Sequence, residues 1–202
     1  LIFLACVFDF LDGFAARLLK VMSPIGKELD SLADVVTFGV LPGIIMYRIL
    51  LLNITGVYGK EYDHFWVFIS LLIPVFSALR LAKFNVDTRQ SEYFLGLPTP
   101  ANAIFIASLA LILEGASDVF VLGFLRNPYY LSAIILISSG LLVSEIRLLA
   151  LKFKGFGWKE NVFRYLLIII SIVLFLIFHL LSIPFIIIIY IILSLIEKRY
   201  TS

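Results

Sequence analysis

Apolar stretches, each near the roughly 20 residues that a membrane-crossing helix needs, follow one another along this whole chain and are broken only by Pro, Gly or short charged runs. Inside a bilayer no water is present to take backbone N–H and C=O groups, so a chain of this pattern has to close its hydrogen bonds within helices. Seven segments are predicted, over about 1–20, 28–52, 64–84, 100–115, 129–149, 162–182 and 184–197. The last two are separated by a tight reversal at Pro184, with one long kinked helix as the alternative. The expected fold class is an all-α, polytopic integral membrane helix bundle, with residues 1–202 forming a single domain. Composition excludes an ordinary soluble domain: 62% of the 202 residues are hydrophobic and 15% charged, with mean hydropathy +1.09, where soluble chains carry about a quarter charged residues. The chain opens on Leu1 inside an apolar run, which leads us to expect a preceding helix that the numbered sequence lacks. Cys6, the single cysteine, has no disulfide or zinc partner.

If the segments alternate across the membrane, 13 of the 16 Lys and Arg residues fall on one side, leaving Arg48, Lys60 and Arg126 on the other. That bias assigns the basic side, which includes Arg17, Lys20, Lys27, Arg80 and Lys83, to the cytoplasm. Asn53-Ile54-Thr55 has the form of a glycosylation acceptor in an outer loop, a pattern more often met by chance. His64 and His179 have no metal-ligand spacing around them and receive no role.

In a chain so poor in charge, four aspartates within 26 residues stand out: Asp9, Asp12, Asp30 and Asp34. On a helix Asp9 and Asp12 lie about 60° apart, and Asp30 and Asp34 are one turn apart on the next helix. The turn between them, Met22-Ser23-Pro24-Ile25-Gly26, offers Ser23 and Pro24 as a helix start and Gly26 for a close approach. Two antiparallel helices joined so tightly bring the carboxylate pairs face to face. Each uncompensated carboxylate at mid-membrane would cost roughly 2.5 to 3.5 kcal/mol, and mutual repulsion adds to that unless a cation joins them. An all-oxygen set suits Mg²⁺ or Mn²⁺ rather than zinc. Gly13, Ala16 and Gly26 leave room for a bulky ligand, and Arg17 presents a fork that matches phosphate. A phosphorylated substrate reacting at the cytoplasmic boundary of the membrane is the expectation. Arg80, Lys83 and Asn85 end the third helix on the same side, where they could hold an acceptor carboxylate or a phosphate.

The pattern Asp9-x2-Asp12-Gly13-x2-Ala16-Arg17-x8-Gly26-x3-Asp30-x3-Asp34 resembles the signature of the CDP-alcohol phosphotransferases at all eight fixed positions. The stretch from Leu29 to Pro42, Ala78-Leu79-Arg80-Leu81-Ala82-Lys83-Phe84-Asn85 and Phe94-Leu95-Gly96-Leu97-Pro98-Thr99-Pro100 are similar to the phosphatidylserine synthase branch. The resemblance implies a divalent-metal enzyme, usually dimeric, that moves a phosphatidyl-type group from a CDP-activated lipid to L-serine and releases CMP. It further implies Asp9, Asp12, Asp30 and Asp34 as metal ligands, Asp34 also as general base, and Gly13, Ala16, Arg17 and Gly26 as the nucleotide pocket. Membrane lipids, a homodimer partner and no nucleic acid complete the expected partners. A relative using glycerol phosphate or inositol phosphate is the near alternative, and a cation channel or carrier with acids along an ion path is the remote one.

Overall fold

Ser23 sits in extended backbone (φ −123°, ψ 150°), its side chain accepts a hydrogen bond from the Gly26 N–H at 3.0 Å, and Pro24 opens the helix that follows. This is the start that the sequence predicts, because Pro has no N–H to leave orphaned in a first turn. The computed structural model describes residues 2–19, 23–57, 64–87, 93–115, 118–150, 155 and 157–201, with the Arg17 and Lys159 side chains among those outside the described set. Helix α1 is Ile2–Leu19 and α2 is Pro24–Val35. Beyond Val35 the rod widens into a π-helical turn over Val36–Val40, where the Leu41 N–H bonds back to the Val36 carbonyl, and continues as α3, Leu41–Val57.

The chain then enters a 3₁₀ stretch, His64–Leu71, and runs on as α4, Leu72–Val86. Strand β1 (Tyr93–Leu95) precedes α5 (Thr99–Gly115). Helices α6 (Val119–Arg126) and α7 (Pro128–Val143) meet at a 68° bend, where the Asn127 side chain accepts from the Tyr129 N–H at 2.9 Å. Strand β2 (Arg147–Leu149) pairs antiparallel with β1, with Phe94 opposite Leu148. Helix α8 (Trp158–Phe178), a 3₁₀ turn over His179–Leu181 and α9 (Ser182–Thr201) complete the order.

Among the described residues each of the seven predicted segments returns as a helical rod, with α6 as a further helix that none of them covered, and three expectations need correction. The fifth segment was expected to run to 149; its helix stops at Val143, and Arg147–Leu149 is a strand. Asn53 was expected in an outer loop; it lies within α3, 6% exposed, and its amide donates to the Leu125 carbonyl at 3.1 Å, so the glycosylation pattern is chance. The reversal expected at Pro184 falls at His179–Leu181, where His179 takes a positive φ of 49°, and Pro184 occupies the first turn of α9.

The stretch Asn161–Glu197 is helical and apolar enough to be read as one 37-residue span. A straight helix would put Arg164 and Glu197 about 50 Å apart. Their side chains are 3.9 Å apart, so α8 and α9 are the arms of an antiparallel hairpin. Two other segments, Pro24–Ile54 and Phe65–Val86, are also long and apolar enough to cross a membrane, and the bent α6–α7 pair is a further one if it counts as a single span. Helix α5, with 17 residues, is shorter, and α1 carries three charges in 18 residues.

The core sits between α3, α4, α5 and α7, with Met46, Leu50, Ile73, Ile106 and Ile135 fully buried. Gly39 and Gly43 let α4 approach closely: a Cβ on Gly39 would stand 2.9 Å from the Ser77 Cβ, and one on Gly43 would stand 2.8 Å from the Pro74 ring. The small-x3-small pair thus packs within the protomer. The hairpin is pinned at its base, where Leu167, Tyr190 and Leu193 pack on Leu97, Leu148 and Leu149, and the Tyr190 hydroxyl donates to the Leu149 carbonyl at 3.0 Å. Its outer faces, including Ile172, Leu176 and Phe185, are exposed apolar surface of the kind that lipid covers. The chain is an integral membrane helix bundle.

Candidate active site

Helices α1 and α2 carry the four aspartates, and Ser23 caps the start of α2. One carboxylate oxygen from each of Asp9, Asp12 and Asp30 lies within 4.8 Å of the others. Opposite ligands on a divalent cation with bonds of about 2.1 to 2.4 Å are about 4.2 to 4.8 Å apart. The three side chains, hard oxygen donors at that spacing, fit Mg²⁺ or Mn²⁺. Asp12 and Asp30 are exposed and Asp9 is half-buried, so a ligand has access from the open side.

Asp34 stands beside this trio rather than within it. It interacts with Asp9 and Asp30, and carboxylates so grouped repel one another unless a proton or a cation is shared between them. It also interacts electrostatically with Arg80 of α4. Arg80 is 7% exposed, its guanidinium carbon lies 5.2 Å from the centre of the Phe84 ring, and its Nε has no hydrogen-bond partner among the described residues. A buried, incompletely bonded guanidinium facing a carboxylate is costly unless another group takes up its donors.

The remaining predicted residues divide by what they touch. Gly13 and Ala16 are half-buried on α1, and Gly26 is exposed over the Ser23 hydroxyl. The Arg17 side chain lies outside the described residues. Lys83 and Asn85 serve helix-end contacts: the Lys83 ammonium reaches the Val143 carbonyl at 3.5 Å, and the Asn85 amide donates to the Ser31 hydroxyl at 2.9 Å. Lys27 donates to the Asn85 carbonyl at 3.3 Å, which completes a clasp between α2 and α4. Of the three residues predicted at the end of the third helix, Arg80 alone is tied to an aspartate. An apolar groove of about 480 Å³ runs next to Asp9 and Asp34, lined by Leu4, Ala5 and Phe8 on α1 and by Val36, Thr37, Val40, Leu41 and Ile44 on the widened rod.

The sequence model of the CDP-alcohol phosphatidyltransferases matches residues 1–143, from α1 to the last residue of α7. The chain belongs to this family. It is 35% identical over 181 residues to the CDP-diacylglycerol–serine O-phosphatidyltransferase of Helicobacter pylori, an alignment that covers 86% of this chain and 68% of that protein. Proteins of the same name from Bacillus subtilis (34% over 146 residues, 72% of this chain and 71% of that one) and Methanocaldococcus jannaschii (32% over 148 residues, 73% and 61%) are also similar. Membership makes the chain a membrane transferase of phospholipid synthesis and sets aside the channel or carrier. The three gathered aspartates, Asp9, Asp12 and Asp30, lie within the matched residues.

Sequence reasoning missed a group of uncharged polar residues. Ser77, Thr99, Asn102 and Ser139 are buried, each with side-chain atoms that have no partner among the described residues. Their signal is a polar residue on an otherwise apolar helix face, which becomes informative only when the neighbours of that face are known.

Proposed function

We propose that this phosphatidyltransferase uses L-serine as its acceptor and makes phosphatidylserine, or the archaeal ether analogue, from CDP-diacylglycerol or CDP-archaeol with release of CMP. One observation carries the mechanism: Asp34 interacts both with Asp9 and Asp30 of a carboxylate trio spaced for a divalent ion and with a buried arginine. In the reaction the serine hydroxyl transfers its proton to Asp34, its oxygen forms a bond to the lipid-bearing phosphorus, and the bond from that phosphorus to the CMP oxygen breaks. A carboxylate within hydrogen-bond reach of the attacking hydroxyl is worth roughly 10²- to 10⁴-fold in rate. Mg²⁺ or Mn²⁺ held by Asp9, Asp12 and Asp30, with Asp34 adjoining, would neutralise the pyrophosphate and the departing CMP. Gly13, Ala16, Arg17 and Gly26 take the nucleotide, and the apolar groove beside Asp9 receives a lipid tail without removing it from the bilayer.

The names of the relatives favour serine, and so does the distribution of positive charge. A phosphorylated acceptor such as glycerol phosphate or inositol phosphate brings about two further negative charges, yet Lys27 and Lys83 are occupied by backbone carbonyls and only Arg80 is joined to Asp34 among the described basic groups. The same reading places the reaction at the cytoplasmic face, by the distribution of Lys and Arg, in a homodimer. The test is CMP release by the purified full-length protein from CDP-diacylglycerol with Mn²⁺, comparing L-serine, glycerol 3-phosphate and inositol 1-phosphate, with Asp34→Asn as control. Serine-dependent release that disappears in the variant supports the proposal; release with another acceptor, or an active variant, overturns it.

A further inference from the structure

Three helices that touch one another pairwise, α4, α5 and α7, each contribute one isoleucine to a fully buried apolar layer: Ile73, Ile106 and Ile135. One helical turn from each of these, toward the aspartate end of the bundle, stand Ser77, Asn102 and Ser139. All three are at least 98% buried, and each has side-chain polar atoms without a partner among the described residues. Both ends of the Asn102 amide are unpaired. A further turn along, the Thr99 hydroxyl on α5 and the Arg80 Nε on α4 are unpaired as well. Other buried serines in this bundle bond back to their own helix, as Ser70, Ser108 and Ser138 do to the carbonyls of Val67, Phe105 and Ile135. Among the described residues the orphaned groups are thus confined to one level, two turns deep, between three helices.

Such groups carry a desolvation penalty that native structures normally remove by pairing them. The level adjoins the reacting centre on two sides. The Ser77 side chain is in contact range of Gly39 in the π-helical turn that begins two residues after Asp34, and Arg80 interacts with Asp34 itself.

We infer that this polar layer is the pocket for the amino-acid end of the acceptor, with Asn102 as its specificity-determining residue; the inference deepens the serine reading and rests on it. A zwitterion needs donors for its carboxylate and acceptors for its ammonium group. The Arg80 Nε–H and the Asn102 Nδ2–H supply the former, and the Asn102 Oδ1 with the hydroxyls of Thr99, Ser77 and Ser139 supply the latter. One guanidinium matches one carboxylate, so the layer discriminates against phosphorylated acceptors by charge and against aliphatic alcohols by leaving its polar groups unpaired.

The experiment is steady-state kinetics of CMP release by the full-length protein in detergent with Mn²⁺, varying L-serine and CDP-diacylglycerol separately. It compares Asn102→Leu, Thr99→Val and, as a control on the same helix, Ser108→Ala. Asn102→Leu is expected to raise the KM for L-serine by about 10- to 100-fold with the KM for the CDP-lipid within about twofold. Thr99→Val, which keeps the shape and removes one hydroxyl, is expected to raise the serine KM by about fivefold, and Ser108→Ala is expected to leave it alone. Addition of L-serine should raise the unfolding temperature of the unmodified protein and not that of Asn102→Leu. If the unmodified protein turns over serine and both polar-layer variants keep its KM, the layer holds water only and the inference fails by itself. A parallel rise in both KM values with a lower unfolding temperature assigns the layer a structural role and also overturns it. If the unmodified protein prefers a phosphorylated acceptor, the serine reading fails first, before any variant is made.

Discussion

Replacing Gly39 by alanine adds one methyl group at the tightest contact between the aspartate-bearing rod and α4. The new Cβ would lie 2.9 Å from the Ser77 Cβ and 3.4 Å from the Pro74 Cα. Carbon atoms in ordinary contact are about 3.5 to 4.0 Å apart, so the helices have to part by roughly 0.6 to 1 Å. Neither neighbour can rotate away, because one is backbone and the other is fixed to it. Overpacking of this kind costs about 1 to 3 kcal/mol, and exchanging Gly for Ala within a helix returns about 0.5 to 1 kcal/mol. The net loss of stability is about 0.5 to 2 kcal/mol. Turnover suffers more, because Ser77 lies one turn from Arg80 and a displacement near 1 Å at a reacting site costs about 100-fold. Gly140→Ala on α7, where an added Cβ meets nothing within 4 Å, is the matched comparison. Thermal unfolding in detergent and CMP release are measured for both. The expected order is a lower unfolding temperature and a strongly reduced rate for Gly39→Ala, with Gly140→Ala at least as stable as the parent and fully active. Gly39→Ala that unfolds no earlier than the parent and turns over normally would refute the close-packing argument.

Other expectations follow from single contacts. Asp12→Asn removes one of the three clustered carboxylates and should raise the Mn²⁺ concentration for half-maximal activity by more than about tenfold, since loss of a partner one shell further out already costs that much; titration of metal into chelator-treated protein measures it. Tyr190→Phe deletes the 3.0 Å bond to the Leu149 carbonyl at the base of the hairpin and should cost about 1 kcal/mol in unfolding without a large change in the KM for serine. Gly96→Ala has to hold a φ of +73°, which costs about 1 to 2 kcal/mol for a residue with a Cβ, and that Cβ would meet the Leu142 carbonyl. Size-exclusion profiles of the detergent extract should show loss of the monodisperse peak.

The helix start at Ser23-Pro24 and the gathering of Asp9, Asp12 and Asp30 were legible in the sequence because each has a local cause. A cap is chosen by its own side chain, and charge in a lipid-soluble chain is too expensive to be scattered. The run 129–149 was not legible in the same way: Leu148, Leu149 and Ala150 continue its apolar character, and strands of three residues show no alternation by which to separate strand from helix. Pro184 drew the predicted reversal to itself because proline ends helices, yet at the start of α9 it is merely tolerated, and His179 with its positive φ makes the break. The polar layer was hidden for a different reason. A serine in an apolar helix commonly bonds to the carbonyl a turn earlier, and Ser70 and Ser138 do so while Ser77 and Ser139 do not. That difference belongs to three helices at once.

The widened turn at Val36–Val40 turns the distance from Asp34 to Gly39 into a matter of counting. A bond that spans five residues instead of four holds one residue more than a regular turn would. Winding the same residues as an uninterrupted α-helix would swing everything after them by about 100° relative to Asp30 and Asp34. Gly39 and Gly43 would then face away from Ser77 and Pro74, whatever their identity. Substitutions in this stretch are therefore expected to be tolerated by size, one position at a time, and a single deletion at 36–38, which closes the turn and keeps Gly39 and Gly43 facing α4, should be accepted where a deletion elsewhere in the rod is not. In an exhaustive mutational library, the five codons for residues 36–40 would stand out as a frame within the reading frame.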